Sequence, residues 1–445
     1  MSNELEQENE KLHKRNNQLE EENKKLKKEN KELKETTDKL TKILTLFCNP
    51  HTPPSKQRLK RKNKAEASNE TPKKIGAPMG HNGATREIPK PTKTENHKLD
   101  KKCPWCGGKI IKILEKLLER VIEEIPEPQK AEVTRHIFEI GICEHCGEVV
   151  AESNLPNEGN LGKNLLSHVT LLKFEDRLPL RKVKRSLKRQ HNITLTHPTV
   201  LDITRRVSDK LRVKYKQIIY SIRKSRCVYT DQTEIKVSGV VYQLWVFVTA
   251  KCTLFIIRKA DYMGVMEDVL GKNYDGVIVG DGIETYRQYS DKIQRCWAHL
   301  LRESADLADK YDSAKGLHEG LKRLFEKVKS VDGKDPPNKR QKIYDNCIVE
   351  MQQWIDLANS YTELTKFGGK LGNGLKHWFT RILYPFVEAT NNVAERALRE
   401  LVVIRKIIGS LRNNKGAKIL ETIMTMITTW RQRGLDTFSE LRASI

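Results

Sequence analysis

The strongest pattern along the chain is a leucine at every seventh position: Leu5, Leu12, Leu19, Leu26, Leu33 and Leu40, with Phe47 continuing the series. Set at heptad position d, these leave Asn9, Asn16, Asn23 and Asn30 at position a. Buried asparagine there weakens a coiled coil but favours parallel two-stranded pairing in one register. The flanking charges agree, since Arg15 would face Glu20, Glu22 would face Lys27, and Glu29 would face Lys34 across a parallel homodimer. Residues 1–48 are therefore expected to form a leucine-zipper coiled coil; six leucines in phase argue against a solitary solvated helix. Periodicity then vanishes over 49–102, where seven prolines and three glycines break any regular element. Beyond it, Ile110–Glu124 has a helix-like pattern, and Leu165–Phe174, Leu180–Arg189 and Pro198–Tyr215 predict three helices, the last two parted at His191-Asn192.

From Arg226 the pattern turns to short β-branched and aromatic runs. Cys227–Thr230 reads as a strand ended by Asp231, and Ile235–Val237 with Val240–Val248 as a hairpin around Ser238-Gly239. Thr253–Ile257 is the next strand, Asp261–Leu270 a crossing helix, Val277–Val279 a buried strand ended by Gly280-Asp281, and Ile293–Arg295 one more. The order β-β-β-α-β predicts an α/β core. If the first and fourth strands are parallel neighbours, Asp231 and Asp281 meet at one sheet edge, where open α/β folds place their sites.

Charge narrows the class. Lys+Arg exceed Asp+Glu by 82 to 58, a net +24, which suits a polyanion whose condensed counterions basic side chains release. No apolar run of membrane-spanning length and no signal-peptide pattern is present, so DNA is favoured over a membrane, in the cytoplasm. Residues 49–102 carry +9 and read as a basic flexible linker. Residues 178–226 carry +13, and two basic helices joined by a short turn suit a helix-turn-helix reader. Arg181, Lys182, Lys184, Arg185, Arg205 and Arg206 are its candidate DNA contacts, a basic helical spacer being the other reading of 160–224.

Two Cys-x-x-Cys-Gly turns, Cys103/Cys106 and Cys143/Cys146, supply four thiolates, the closed ligand set of one structural zinc ion. The 36 residues between them exceed the usual spacing of a zinc ribbon. A redox role is the rival, but neither pair sits in a thioredoxin-like setting. A third carboxylate is needed beside Asp231 and Asp281 to hold two divalent cations roughly 4 Å apart. Thr390 or Asn391 can cap a helix that puts Glu395 in its first turns and leaves Glu388 outside. Arg396, Arg399, Arg405 and Lys406 follow as a basic face. Cys296 and His299 are two ligands, too few to close a zinc site, and packing around Trp297 explains them equally. No Gly-x-x-x-x-Gly-Lys-Ser/Thr loop for ATP occurs.

Taken together, the leucine zipper, both Cys-x-x-Cys pairs, Asp231-Gln-Thr, Asp281-Gly, Cys296-Trp-Ala-His299, Asn391-Asn-Val-Ala-Glu-Arg-Ala-Leu-Arg399, Arg405-Lys406 and Gly409-Ser410 resemble the insertion-sequence-66 family of transposases. The resemblance implies a ribonuclease H-like fold and an Asp-Asp-Glu triad binding two Mg²⁺ (or Mn²⁺) ions. By motif the triad is Asp231, Asp281 and Glu395, with an orienting or DNA-contacting role for Cys296 and His299. This chain departs from the family's common Asp-Glu-Thr at the first block, having Gln232 and its acid at Glu234. The expected architecture is multidomain α/β: coiled coil 1–48, linker 49–102, zinc ribbon 103–150, helical DNA-binding region 160–224, and catalytic domain 226–445 with a helical insertion at about 301–375. The expected function is cleavage and strand transfer at the ends of an insertion sequence in a prokaryotic nucleoid, with element ends and target DNA as partners. The alternatives are a non-catalytic DNA-binding regulator, or a nuclease or resolvase of the same fold.

Overall fold

The computed structural model describes residues 15, 18–37, 89–98, 101–102, 107–111, 121–151, 159–259, 261–282 and 284–445. They belong to two compact units, Met1–Ile125 and Pro126–Ile445. In the first, residues 18–37 are helical, and Leu19, Leu26 and Leu33 are 40%, 55% and 67% exposed. The other heptad leucines, Phe47, most of the linker, and Cys103 and Cys106 lie outside the described residues. The helix expected at Ile110–Glu124 is absent from its described positions, 110–111 and 121–124. Ile111 and Ile122 are exposed there, and residues 112–120 of that run lie outside the described residues.

The second unit opens with an antiparallel hairpin, β1 (Ile140–Ile142) and β2 (Val149–Ala151). Its turn carries Cys143 and Cys146. The Gly147 N–H donates to the Cys143 carbonyl (2.9 Å), and Gly147 takes φ +71°, the left-handed region where a side chain is disfavoured. Three helices follow: α1 (Lys163–Phe174), α2 (Leu180–His191) and α3 (His197–Arg223). Asn192 ends α2 at φ +56°, as an asparagine in that position commonly does. α3 runs eight residues past the predicted end at Tyr215, because Ile218 and Ile222 keep its apolar face in phase and are buried.

A five-stranded mixed sheet forms the centre, in the order β5-β4-β3-β6-β7. β3 (Cys227–Val237), β4 (Val240–Val248) and β5 (Thr253–Arg258) are an antiparallel meander. After α4 (Tyr262–Leu270), β6 (Val277–Gly280) returns parallel to β3, and after α5 (Glu284–Tyr289), β7 (Ile293–Arg295) adds parallel to β6. Ser238 and Gly239 both have positive φ, +52° and +79°, the two-residue turn whose twist matches a hairpin. One expectation is corrected here: β3 does not end at Asp231. It continues to Val237, because Gln232, Thr233 and Glu234 keep pairing with Trp245, Leu244 and Gln243 of β4. Asp231 is thus in mid-strand, just past the stretch of β3 that β6 covers.

Residues 297–382 build a second hydrophobic core. It comprises α6 (Trp297–Lys310), α7 (Ser313–Ser330), α8 (Pro337–Asn359), α9 (Thr365–Asn373), a 3₁₀ turn (Leu375–Trp378) and α10 (Thr380–Leu383). Trp297 stands at its centre against Phe325, Trp378 and Phe379. The chain then returns to the sheet. α11 (Asn392–Ile408) crosses β3 and β4, α12 (Asn414–Gln432) runs along β5, and α13 (Thr437–Ser444) closes on α1.

The contact of α12 with β5 is a ladder of side chain to backbone. Thr429 Oγ1 accepts from the Thr253 N–H (3.2 Å), Thr425 Oγ1 from Phe255 (2.9 Å), and Glu421 Oε1 from Ile257 (2.5 Å). Every fourth residue of a helix advances about 6 Å, and every second residue of a strand about 6.6–6.8 Å, so the two periods match over three rungs. Among the described residues, no helix is long and apolar enough to cross a membrane.

Candidate active site

The parallel register of β3 and β6 pairs Tyr229 with Val279. Two residues further along each strand are Asp231 and Asp281, so the sheet itself sets these acids side by side. Gly280 allows a close approach here, since a Cβ on it would lie 2.7 Å from the Tyr286 ring. Glu395 arrives from the first turn of α11. Asn391 precedes that helix, as expected, but its side chain makes no cap hydrogen bond. Instead Asn391 is fully buried and its Nδ2 donates to the Thr230 carbonyl (2.8 Å), tying the start of α11 to β3. Glu388 lies outside the helix and is exposed, its N–H donating to the Tyr229 hydroxyl (2.9 Å).

His299, on the first turn of α6, stands between two of the acids. Its Nδ1 is 2.9 Å from Asp281 Oδ1, and its Nε2 is 3.7 Å from Glu395 Oε1. The closer contact is a charge–charge approach without hydrogen-bond alignment: Asp281 Oδ1, His299 Nδ1 and Glu395 Oε1 are all buried atoms without a hydrogen-bond partner. The Asp281 carboxylate, then the Cys296 sulfur, hold the imidazole above its ordinary pKa. Burial pushes the Asp231 carboxyl up to about 6, and the charges of Asp281 and Glu395 add to the effect, while the Gln232 amide and His299 oppose it. Asp231 therefore feels the charges of both other carboxylates, a condition that a divalent cation relieves.

Cys296 is buried and held on both sides: its N–H donates to the Gly280 carbonyl (3.0 Å), and its Sγ accepts from the Asn391 N–H (3.2 Å). Beside the acids opens a cavity of roughly 380 Å³, lined by Asp281, Cys296, His299, Arg295, Arg302 and Lys370 among others. Arg295, only 6% exposed, stacks on Trp378 with its guanidinium carbon 4.5 Å from the ring centre. A side chain at Gly282 would run into that guanidinium. Sequence reasoning missed Arg295; the signal was a cation at the end of a short strand, just before Cys296.

The basic candidates are spread over three helices. On α2, Arg181, Lys182 and Arg185 are exposed and Lys184 half-buried. On α3, Arg205 is engaged by Asp202 (2.6 Å) and Asp209 (3.3 Å), and Arg206 is half-buried. On α11, Arg396, Arg399 and Lys406 are exposed, whereas Arg405 bonds to Thr233 Oγ1 (2.9 Å) and the Glu234 carbonyl. In the β1–β2 turn the Cys143 thiol is held below its ordinary pKa, first by the Cys146 backbone N–H and then by that of His145.

The profile of the transposase IS66 family matches residues 158–419. Three proteins of Sinorhizobium fredii are also similar. The uncharacterized protein y4hP is 24% identical over 376 residues, covering 75% of this chain and 68% of its own length. The uncharacterized protein y4jD is 20% identical, covering 76% and 73%. The uncharacterized protein y4qI is 21% identical, covering 64% of this chain and 58% of its own length. The profile match takes in the whole sheet and Asp231, Asp281, His299 and Glu395, and extends over more than half of the 445 residues; the chain belongs to the IS66 family of transposases.

Proposed function

We propose that the protein cleaves DNA at the ends of an insertion sequence and joins them to target DNA, using Asp231, Asp281 and Glu395 to hold two Mg²⁺ or Mn²⁺ ions. The observation that carries this is that Asp281, at the end of β6, and Glu395, on α11, meet on either side of the His299 imidazole, with Asp231 of β3 near enough to feel both charges, and with buried oxygens of Asp281 and Glu395 left without hydrogen-bond donors. Such an all-oxygen set suits hard divalent cations. When bound, the ions supply Lewis-acid activation of the attacking hydroxyl and charge stabilisation on the leaving 3′ oxygen. The protein's own part is positional. Asn391 fixes α11 on β3, the β3–β6 register fixes the aspartates, and the Cys296 amide, held by Gly280, fixes the start of α6 and hence His299.

The mixed sheet, an antiparallel meander extended by two parallel strands, with Asp231 and Asp281 at neighbouring positions beyond the β3–β6 pairing, supports the ribonuclease H-like reading. Helices α6–α10 are then an insertion between β7 and the helix that carries Glu395. Arg396, Arg399 and Lys406 fall on one face of that helix and would contact backbone phosphates near the cut, with Arg181, Lys182, Lys184 and Arg185 of α2 as a second basic surface. The heptad helix pairs two copies, and the Cys143/Cys146 turn contributes a thiolate pair to a structural zinc site.

The test is a Mg²⁺-dependent cleavage and joining assay on the element ends, run beside a binding assay. Asp281→Asn and Glu395→Gln should each reduce both reactions about 1,000-fold, since several kcal/mol of charge stabilisation is lost and each 1.4 kcal/mol or so is a factor of ten. DNA binding should remain, because it arises from basic residues elsewhere. Glu388→Gln should retain activity. A dead Glu388→Gln beside an active Glu395→Gln would overturn the third ligand, and specific binding by a wild-type chain that never cuts would favour the regulator.

A further inference from the structure

Three ligand atoms of different chemistry meet at the end of β6: an oxygen of Asp281, the sulfur of Cys296 and a ring nitrogen of His299, all within 4.8 Å of one another. In sequence, Cys296 and His299 are two ligands short of a closed site; the fold brings Asp281 to them from another strand. We propose that Asp281, Cys296 and His299 form a binding site for one thiophilic divalent ion of the zinc class.

The geometry is close to what such an ion needs. Bonds of about 2.0–2.3 Å around a tetrahedral centre put neighbouring ligand atoms roughly 3.3–3.8 Å apart. The present spacings, from 2.9 Å between Asp281 Oδ1 and His299 Nδ1 to at most 4.8 Å, bracket that range, so side-chain adjustments are sufficient. The donor set is selective. A thiolate with an imidazole favours a zinc-class ion, whereas magnesium takes oxygen ligands. The sulfur already serves as an acceptor, for the Asn391 N–H at 3.2 Å. The second nitrogen of His299 faces Glu395 at 3.7 Å, beyond hydrogen-bond distance but on the side where an outer carboxylate would support a metal-bound imidazole. All three residues also line the 380 Å³ cavity, which leaves the fourth position to water.

This site uses Asp281 and keeps Glu395 one step back from the ion. If the catalytic reading above is correct, a bound zinc-class ion and the hard-metal pair exclude one another, and zinc inhibits Mg²⁺-dependent cleavage. Binding itself does not depend on that reading.

The experiment is a Co²⁺ titration of the full-length, metal-stripped chain, read by stoichiometry and by absorption, with Cys296→Ser and His299→Ala alongside. Cysteine pairs elsewhere contribute equally to all three proteins, so the difference isolates this site. The wild type is expected to bind one ion per chain more than either variant, with an added thiolate-to-cobalt charge-transfer band of single-thiolate intensity. Equal stoichiometry and identical spectra would overturn the proposal. His299 is half-buried, so His299→Ala carries the test if Cys296→Ser does not fold. Cleavage is assayed separately: cobalt binding with no cleavage sinks only the catalytic reading, and cleavage without the cobalt difference sinks only this one.

Discussion

Asn391 holds three parts of the site through one residue. Its side chain reaches the Thr230 carbonyl, its N–H reaches Cys296 Sγ, and its own carbonyl accepts from the Glu395 N–H (3.1 Å). It therefore sets the spacing between Asp231, His299 and Glu395 without touching any of them through its side chain. Asn391→Ala removes a buried hydrogen bond and should lower stability by about 1–3 kcal/mol, with cleavage falling further than DNA binding. Thermal unfolding and the cleavage-to-binding ratio check this; equal loss of both would mean that the residue only stabilises the fold. At this scale the sequence shows residue type and place but not use. Asn391 is legible as a helix start, yet its partner is 161 residues away, and no local pattern carries that information. Arg295 was hidden for the same reason, since its place over Trp378 exists only once the second core has formed.

Among the elements, the strands from Arg226 to Arg295 were legible because alternation and β-branching mark half-buried and buried strands. Asp231 misled because an aspartate after a β run usually signals a turn; here pairing with β4 outweighs it. The seat of α12 was not legible, because its polar residues look like an ordinary helix surface. Thr425→Val, which keeps the shape but removes the acceptor for the Phe255 N–H, should cost about 1–3 kcal/mol by leaving a buried donor unpaired, measured by denaturant unfolding. Glu421 adds a pH dependence. Burial raises its carboxyl above the ordinary value, against the favourable charge of Arg258. A group of this sign contributes most below its unfolded pKa, about 4.3, and its contribution falls as pH rises through the folded value. Glu421→Gln keeps an acceptor for Ile257 and should flatten stability against pH between about 4.3 and the raised folded value. Identical pH slopes for the two proteins would contradict this.

For the molecule as a whole, three leucines of the heptad series stand exposed on a helix, and pairing with a second copy would cover them. Deleting residues 1–47 should weaken self-association, read by sedimentation, while the 159–445 region keeps its thermal transition. Unchanged sedimentation would leave the helix without this role. The family and the α/β core were legible at this scale because they rest on blocks of sequence, whereas the separate core of α6–α10 was visible only as a long helical interval. The ladder between β5 and α12 also has a consequence in time. Residue 258 leaves the ribosome 156 residues before α12 begins at 414, which at 5–20 residues per second is roughly 8–30 s. For that interval the outer strand of the growing chain presents bare N–H groups on which a neighbouring nascent chain can add a strand. A chain terminated at residue 413 is frozen in that state and should aggregate during synthesis, and light scattering from a cell-free translation, compared with the full-length product, measures how far the delay limits the yield of folded protein.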